Sequence, residues 1–384
     1  MTLRVSTDSV QRLIVAAPTK PPVSTTVKKT KENNLSAPLS QIPKIRFNGF
    51  LSAGASRTNA AGGANYNIPG HGAVSNKIGF ASSSLVGLQA TAKLTPWADV
   101  VSQFVASGDG TNGQMPYSLN AGWAFLRLKL SPEVQLHVGR FRLPIFLYSA
   151  TQQVGYSYPW QYLPGEVYRI VPFDNMNGLS FVLSKTLADT GWSVSFQPFF
   201  GENKSQYNID SSKLVDFNED DIVGARLSIG NNNFTLRGAY AHLALSSPGK
   251  GGGLPPVSVK DADFWSVGGK LNMSKLFIAG EFSQRQLSDQ LAALRGYYAT
   301  VGLRLDKWMP ALTYANLNTT NSPKLEKPEK QTSYTASLDY YINASLVVKS
   351  SVSYVMPDGT FGLFDQDPQK KAVFVYGAEL DAIF

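Results

Sequence analysis

The 384-residue sequence has no cysteine, which excludes disulfide staples and thiolate metal sites. It has no apolar run of about 18 residues, so no membrane-crossing helix can be drawn. Charge is sparse: Asp, Glu, Lys and Arg make up 16% of the chain, against about 25% in ordinary soluble domains. Histidine is sparser still. His71, His137 and His242 stand far apart, and none has a neighbour at metal-ligand spacing. A lipase site would have to combine His137 with Ser180, and nothing else in the sequence supports it. The glycine-rich "GKGGG" at residues 249–253 lacks the strand, the Lys-Ser/Thr pair and the helix of a phosphate loop. The formal charge of +8 is spread along the chain and forms no compact stripe, which argues against nucleic acid. These absences leave no enzyme, cofactor or metal reading standing.

What the sequence does have is alternation. The closing stretch "KAVFVYGAELDAIF" puts Phe374, Tyr376, Ala378, Leu380, Ala382 and Phe384 on one face of a strand. Val373, Val375, Gly377, Glu379, Asp381 and Ile383 fall on the other. Aromatics that avoid water and carboxylates that need it suit the edge of a soluble sandwich, or a barrel wall with lipid outside and water inside. Counting alternating runs between breakers gives sixteen strands: 44–57, 77–93, 98–107, 119–130, 134–142, 178–187, 191–200, 219–230, 233–243, 263–273, 275–287, 295–305, 310–318, 332–342, 345–355 and 371–384.

Their connections alternate between tight ones, such as 131–133 and 343–344, and long ones, such as 58–76, 143–177, 201–218, 244–262 and 319–331. A sandwich has no reason to sort its loops this way, whereas a transmembrane antiparallel β-barrel does. Closure also removes the unpaired edges of sixteen strands. Near the tight turns lie Trp97, Trp192, Phe234, Phe277, Trp308, Tyr340 and Phe384, expected as an aromatic girdle. Residues 1–43, rich in Pro, Ser, Thr and Lys, are expected to be a flexible periplasmic extension to a barrel spanning 44–384. Their apolar run at 13–17 is too short for a signal-peptide core.

Residues 139–184 read "GRFRLPIFLYSATQQVGYSYPWQYLPGEVYRIVPFDNMNGLSFVLS". The G-R-x-R-x-P, V-G-Y-x-Y-x-W and P-x-E-V-Y elements within it resemble the porin-like outer-membrane proteins of gamma-proteobacteria, relatives of the phosphate-selective porin group. The resemblance covers about forty-five residues closely and the rest in rhythm. It implies a sixteen-stranded, trimeric diffusion channel in the bacterial outer membrane, in contact with lipid and lipopolysaccharide. A terminal Phe on an alternating last strand is also similar to the assembly signal of such proteins, although Ala382 stands where a bulkier residue is usual.

Selectivity in a channel depends on the side chains that line its wet face. Taking the inward face from each strand's apolar phase places Arg46, Lys93, Arg127, Lys129, Arg226, Arg237, Lys270, Arg285, Arg304 and Lys349 inside, against Glu281, Asp339, Glu379 and Asp381. The excess of cations is expected to favour small anionic or polar solutes. The alternative is a structural or adhesive barrel with little conductance. The third long connection, 143–177, carries four Pro and five Tyr and is expected to fold into the pore, with Arg140, Arg142, Glu166 and Arg169 at the constriction. Arg140 and Arg142 have lipid-facing parity unless a bulge at Gly139 shifts the phase, and such a bulge is expected.

Overall fold

The computed structural model describes residues 44–108, 117, 119–187, 190–210, 213–248, 256–287, 291–321 and 328–384. The expected extension at 1–43 lies outside the described residues.

Sixteen strands form one closed antiparallel barrel. The first, β1 (Lys44–Thr58), is followed by a small hairpin, β2 (Tyr66–Ile68) and β3 (Gly72–Val74), inside the first long connection. The wall continues through β4 (Leu85–Lys93), β5 (Ala98–Ser107), β6 (Leu119–Lys129), β7 (Val134–Arg142) and β8 (Asn175–Thr186). Next come β9 (Ser193–Asp210), β10 (Lys213–Gly230), β11 (Phe234–Ser247), β12 (Val257–Asn272) and β13 (Leu276–Gln286). The last are β14 (Leu294–Leu303), β15 (Trp308–Thr319), β16 (Lys330–Asn343), β17 (Leu346–Pro357) and β18 (Val373–Ile383). The ring closes where β18 pairs with β1, from Phe50 opposite Ile383 to Thr58 opposite Val375. No helix among the described residues is long and apolar enough to cross a membrane.

Every one of the sixteen expected runs contains a strand, because the period-two pattern carries through to exposure. On β18, Phe374, Tyr376 and Ala378 are exposed while Val373, Glu379 and Asp381 are buried. The girdle is also present, with Trp97, Trp308 and Phe384 exposed.

Four expectations need correction. Phe277 is 6% exposed and lies on the inner row of β13, with the Arg304 guanidinium 5.8 Å from its ring centroid, so it is no part of the girdle. The run 77–93 becomes a strand only at Leu85, since Ala81–Ser83 forms a 3-10 turn held by serine hydroxyls that bond elsewhere. Residues 201–210 and 213–218, expected as a connection, belong to β9 and β10, and Val215 and Phe217 there are buried. The register then shifts between Glu219 and Ile222, where Asp221 takes a positive φ of 53°. The bulge expected at Gly139 is found instead on the neighbouring strand. Gln103 pairs with Trp123 and Phe104 with Ala121, leaving Gly122 extra, while pairing runs without a break through Gly139 despite its φ of +128°.

Candidate functional site

The connection 143–174 bonds repeatedly to side chains on the inner rows of β1, β11–β13 and β15–β17, and to Arg142 at the end of β7. Its apolar and aromatic residues cannot remain in water, and the Pro-rich backbone lacks the N–H groups to form another strand. Leu147 N–H and Tyr168 O–H donate to the Glu281 carboxylate at 2.6 and 3.1 Å. Trp160, fully buried, donates its indole N–H to Thr313 at 2.7 Å. Gln331 donates to Glu166 at 2.8 Å, and Ser266 to the Ile145 carbonyl. On the opposite side Tyr162 reaches Ser56 and Ser83, and Gln161 reaches Ser83. Two inner-row glycines permit this approach. A β-carbon on Gly296 would overlap the Glu166 carbonyl, and one on Gly377 would overlap Gln161.

The twelve candidate side chains fall into three settings. Four hold the long connections in place. Lys349 is 1% exposed and gives its protons to Asp381 at 2.8 Å and to the carbonyls of Trp160 and Gly155. Arg237 donates to the Phe146 and Leu147 carbonyls at 3.1 and 2.6 Å. Arg285 donates to the Ala292 carbonyl at 2.8 Å, and Glu166 is buried against Gln331. The charges of Lys349 and Glu166 therefore do not face open solvent. Three residues, Arg140, Arg142 and Arg169, line a cavity of about 1180 Å³ bounded by the long connections. Arg140 donates to Asn177 at 3.3 Å, Arg142 bonds to Asp174 and Gln153, and Arg169 meets Glu329 at 3.1 Å. This cavity carries four residues of each sign, with Lys204, Asp174, Asp216, Glu329 and Asp365 completing the set.

The remaining five lie on inner rows towards the short turns. Arg127 and Lys129 on β6 meet Asp99 at 3.3 and 2.7 Å. Arg226 on β10 has a buried Nε without a hydrogen-bond partner. Lys270 on β12 sits 5.5 Å from the centroid of the Tyr148 ring, and Arg304 donates to the Met273 carbonyl at 2.9 Å. Sequence reasoning missed Asp99, which is 4% exposed. Its signal was available, since Asp99, Val101 and Gln103 share the face opposite Val100 and Phe104, but the following valines obscured the phase. On the other wall Asp339, Glu379 and Asp381 are buried around Lys349, beneath the 143–174 connection. Among the described residues no three His, Asp or Glu side chains converge as for a metal ion.

The model of a family described as Gram-negative porin matches residues 35–360. The chain belongs to that family. The curated proteins contain no match to this porin. Among solved structures it is similar to an anion-selective porin from Comamonas acidovorans, at 14% identity and a TM-score of 0.57, covering 89% of this chain and 100% of that one. It is likewise similar to Salmonella typhi OmpF in complex with daunomycin, at 16% identity and 0.57, covering 89% and 98%. The outer-membrane channel DcaP of Acinetobacter baumannii matches at 11% and 0.55, covering 89% and 97%. These likenesses are of fold. Family and fold together make this porin an outer-membrane channel protein.

Proposed function

We propose that this porin carries small hydrophilic solutes by passive diffusion, prefers anions, and is narrowed by the 143–174 connection folded into its lumen. The observation that carries the anion preference is the distribution of charge on the inner wall. Arg127, Lys129, Arg226, Lys270 and Arg304 lie on inner rows from β6 to the end of β14, with Asp99 as the counter-charge bonded to two of them. Of the other inner-wall carboxylates, Asp381 is paired with Lys349, Glu281 bonds to the connection, and Glu219 accepts from Asn203 and Ser205. Cations gathered against low-dielectric walls focus a positive potential on the passage. An attraction of about 1 kcal/mol between unit charges 4 Å apart in bulk water grows several-fold where the effective dielectric falls. The anion-selective relative supports this reading, and the wording of residues 139–184 supports kinship with the phosphate-selective group. We further take the channel to be a trimer, as the family resemblance implies. Zero-current potentials across planar bilayers in a salt gradient test the proposal. An anion-selective sign is expected, and a cation-selective sign refutes it. A barrel that inserts without conducting would favour the structural or adhesive reading.

A further inference from the structure

The outer wall carries an aromatic band on β12–β18, near the rim of the long connections. Trp265 stacks on Phe282 at 4.9 Å, and Phe282 is register partner to Tyr297. Tyr297 meets Tyr314 at 6.0 Å, Tyr314 meets Tyr334 at 5.3 Å, and Tyr354 meets Phe374 at 5.1 Å. Such bands mark the depth at which lipid tails give way to headgroups. Further towards the long-connection rim, by two residues on β13 and β14 and by four on β15 and β16, a polar row crosses the same wall in register: Gln284 opposite Arg295, Arg295 opposite Asn318, and Asn318 opposite Lys330.

Neither the Arg295 guanidinium nor the Lys330 ammonium has a hydrogen bond or ion pair to another described residue. No carboxylate points outward on β13–β16, where the alternation fixes which residues do. The nearest acids are engaged elsewhere, Glu329 with Arg169 and Asp263 with Tyr240 and His242. With strands about 4.8 Å apart, the two cations start about 10 Å apart, so both long side chains can reach one group between them above Asn318. Two cations and an amide, placed beyond an aromatic band on the outer wall, fit a phosphate fixed at headgroup depth.

We propose that Arg295, Asn318 and Lys330 form a binding site for a phosphate of lipopolysaccharide on the outer wall of the barrel. Guanidinium and ammonium donors to phosphate make strong charge-assisted bonds, and the row lies outside the lumen, so occupancy is independent of the solute path. The experiment uses detergent-purified full-length protein and fluorescently labelled lipopolysaccharide, either intact or with its lipid A dephosphorylated. The double variant R295Q/K330Q should bind the intact lipid roughly tenfold to thirtyfold more weakly, from about 1 kcal/mol for each cation lost. Asn318→Asp, which keeps both cations but sets a carboxylate between them, should weaken binding in the same direction. Arg57→Gln, an outward cation on β1, should not. Dephosphorylated lipid should bind all four proteins equally weakly. Undiminished binding by R295Q/K330Q or by Asn318→Asp overturns the proposal, as does an equal loss in Arg57→Gln. So does dephosphorylated lipid binding the unaltered protein as tightly as the intact form, or inorganic phosphate alone binding as tightly as the lipid. Unchanged conductance of the double variant separates this site from the channel itself.

Discussion

Gly49 and Phe384 close the ring by exchanging two backbone hydrogen bonds, Gly49 N–H to the Phe384 carbonyl at 2.7 Å and Phe384 N–H to the Gly49 carbonyl at 3.0 Å. The Phe384 ring lies across Gly49, where a β-carbon would overlap it. The last residue is therefore part of the seam. Replacing Gly49 with Val forces the ring off that position, and deleting Phe384 removes both bonds, each worth about 1 kcal/mol. Both changes should reduce the fraction that migrates as a compact, heat-modifiable species in unheated electrophoresis. Full heat modifiability in both would show that the seam does not depend on this contact.

Trp160 anchors the third long connection through its indole N–H and by packing edge-on against Tyr298 at 5.4 Å. Trp160→Ala should cost about 3–5 kcal/mol of local stability. We expect a larger and noisier single-channel conductance, with new protease cleavage inside 143–174. A variant with the parent's conductance and the parent's protease resistance would remove the connection from the account of the constriction.

Neither Arg226 nor Lys270 gives a hydrogen bond to the third connection, which Lys270 meets only over the face of the Tyr148 ring, so their charges can be altered while the connection's hydrogen bonds stay in place. Arg226→Glu combined with Lys270→Glu should lower the anion-to-cation permeability ratio several-fold. The readout is the zero-current potential, with open-channel conductance as the control for blockage.

His71, in the turn of the β2–β3 hairpin, lies 5.2 Å from the Tyr162 ring and so joins the first and third long connections. Burial lowers its pKa from 6.5 to about 4. Above pH 6.5 the ring is neutral in both folded and unfolded states and the contact carries no penalty. As pH falls from 6.5 towards 4 the unfolded form takes up a proton that the folded form refuses, so the contact weakens. It loses about 3 kcal/mol by pH 4 and little more below. Protease accessibility of the two connections should rise over that window, and His71→Gln should flatten the profile.

The fold was largely legible in the sequence because a barrel wall between lipid and water enforces period-two alternation on every strand. Reading failed where that rule was not applied, or where the pairing departs from it. Phe277 shares the parity of Glu281 and Arg285 and so stands on the inner row, although its place beside a tight turn suggests the girdle. The segment 201–218 reads as a connection, yet β9 and β10 run on through 201–210 and 213–218, ahead of a register shift between Glu219 and Ile222. The site was less legible than the wall. Parity placed Lys349 inside, but only the three-dimensional path of residues 155–160 makes it a latch. Gly122, a bulge with no distinguishing sequence signal, sat one strand away from the expected position.

Apart from Arg142 at the end of β7, which holds Gln153 and Asp174 where the connection leaves and rejoins the wall, the hydrogen bonds of the third connection to the inner rows end at β1 on one side and β11 on the other. The circumference is thus divided in two. On β11–β18 an inward substitution threatens an anchor, and such positions have little freedom to vary. On β4–β10, side chains such as Gln89, Gln103, Ser180 and Gln197 bond only among themselves across neighbouring strands. Adapting this barrel to a different cargo, by natural drift or by engineering, can proceed along that arc alone while the opposite arc keeps the connection seated.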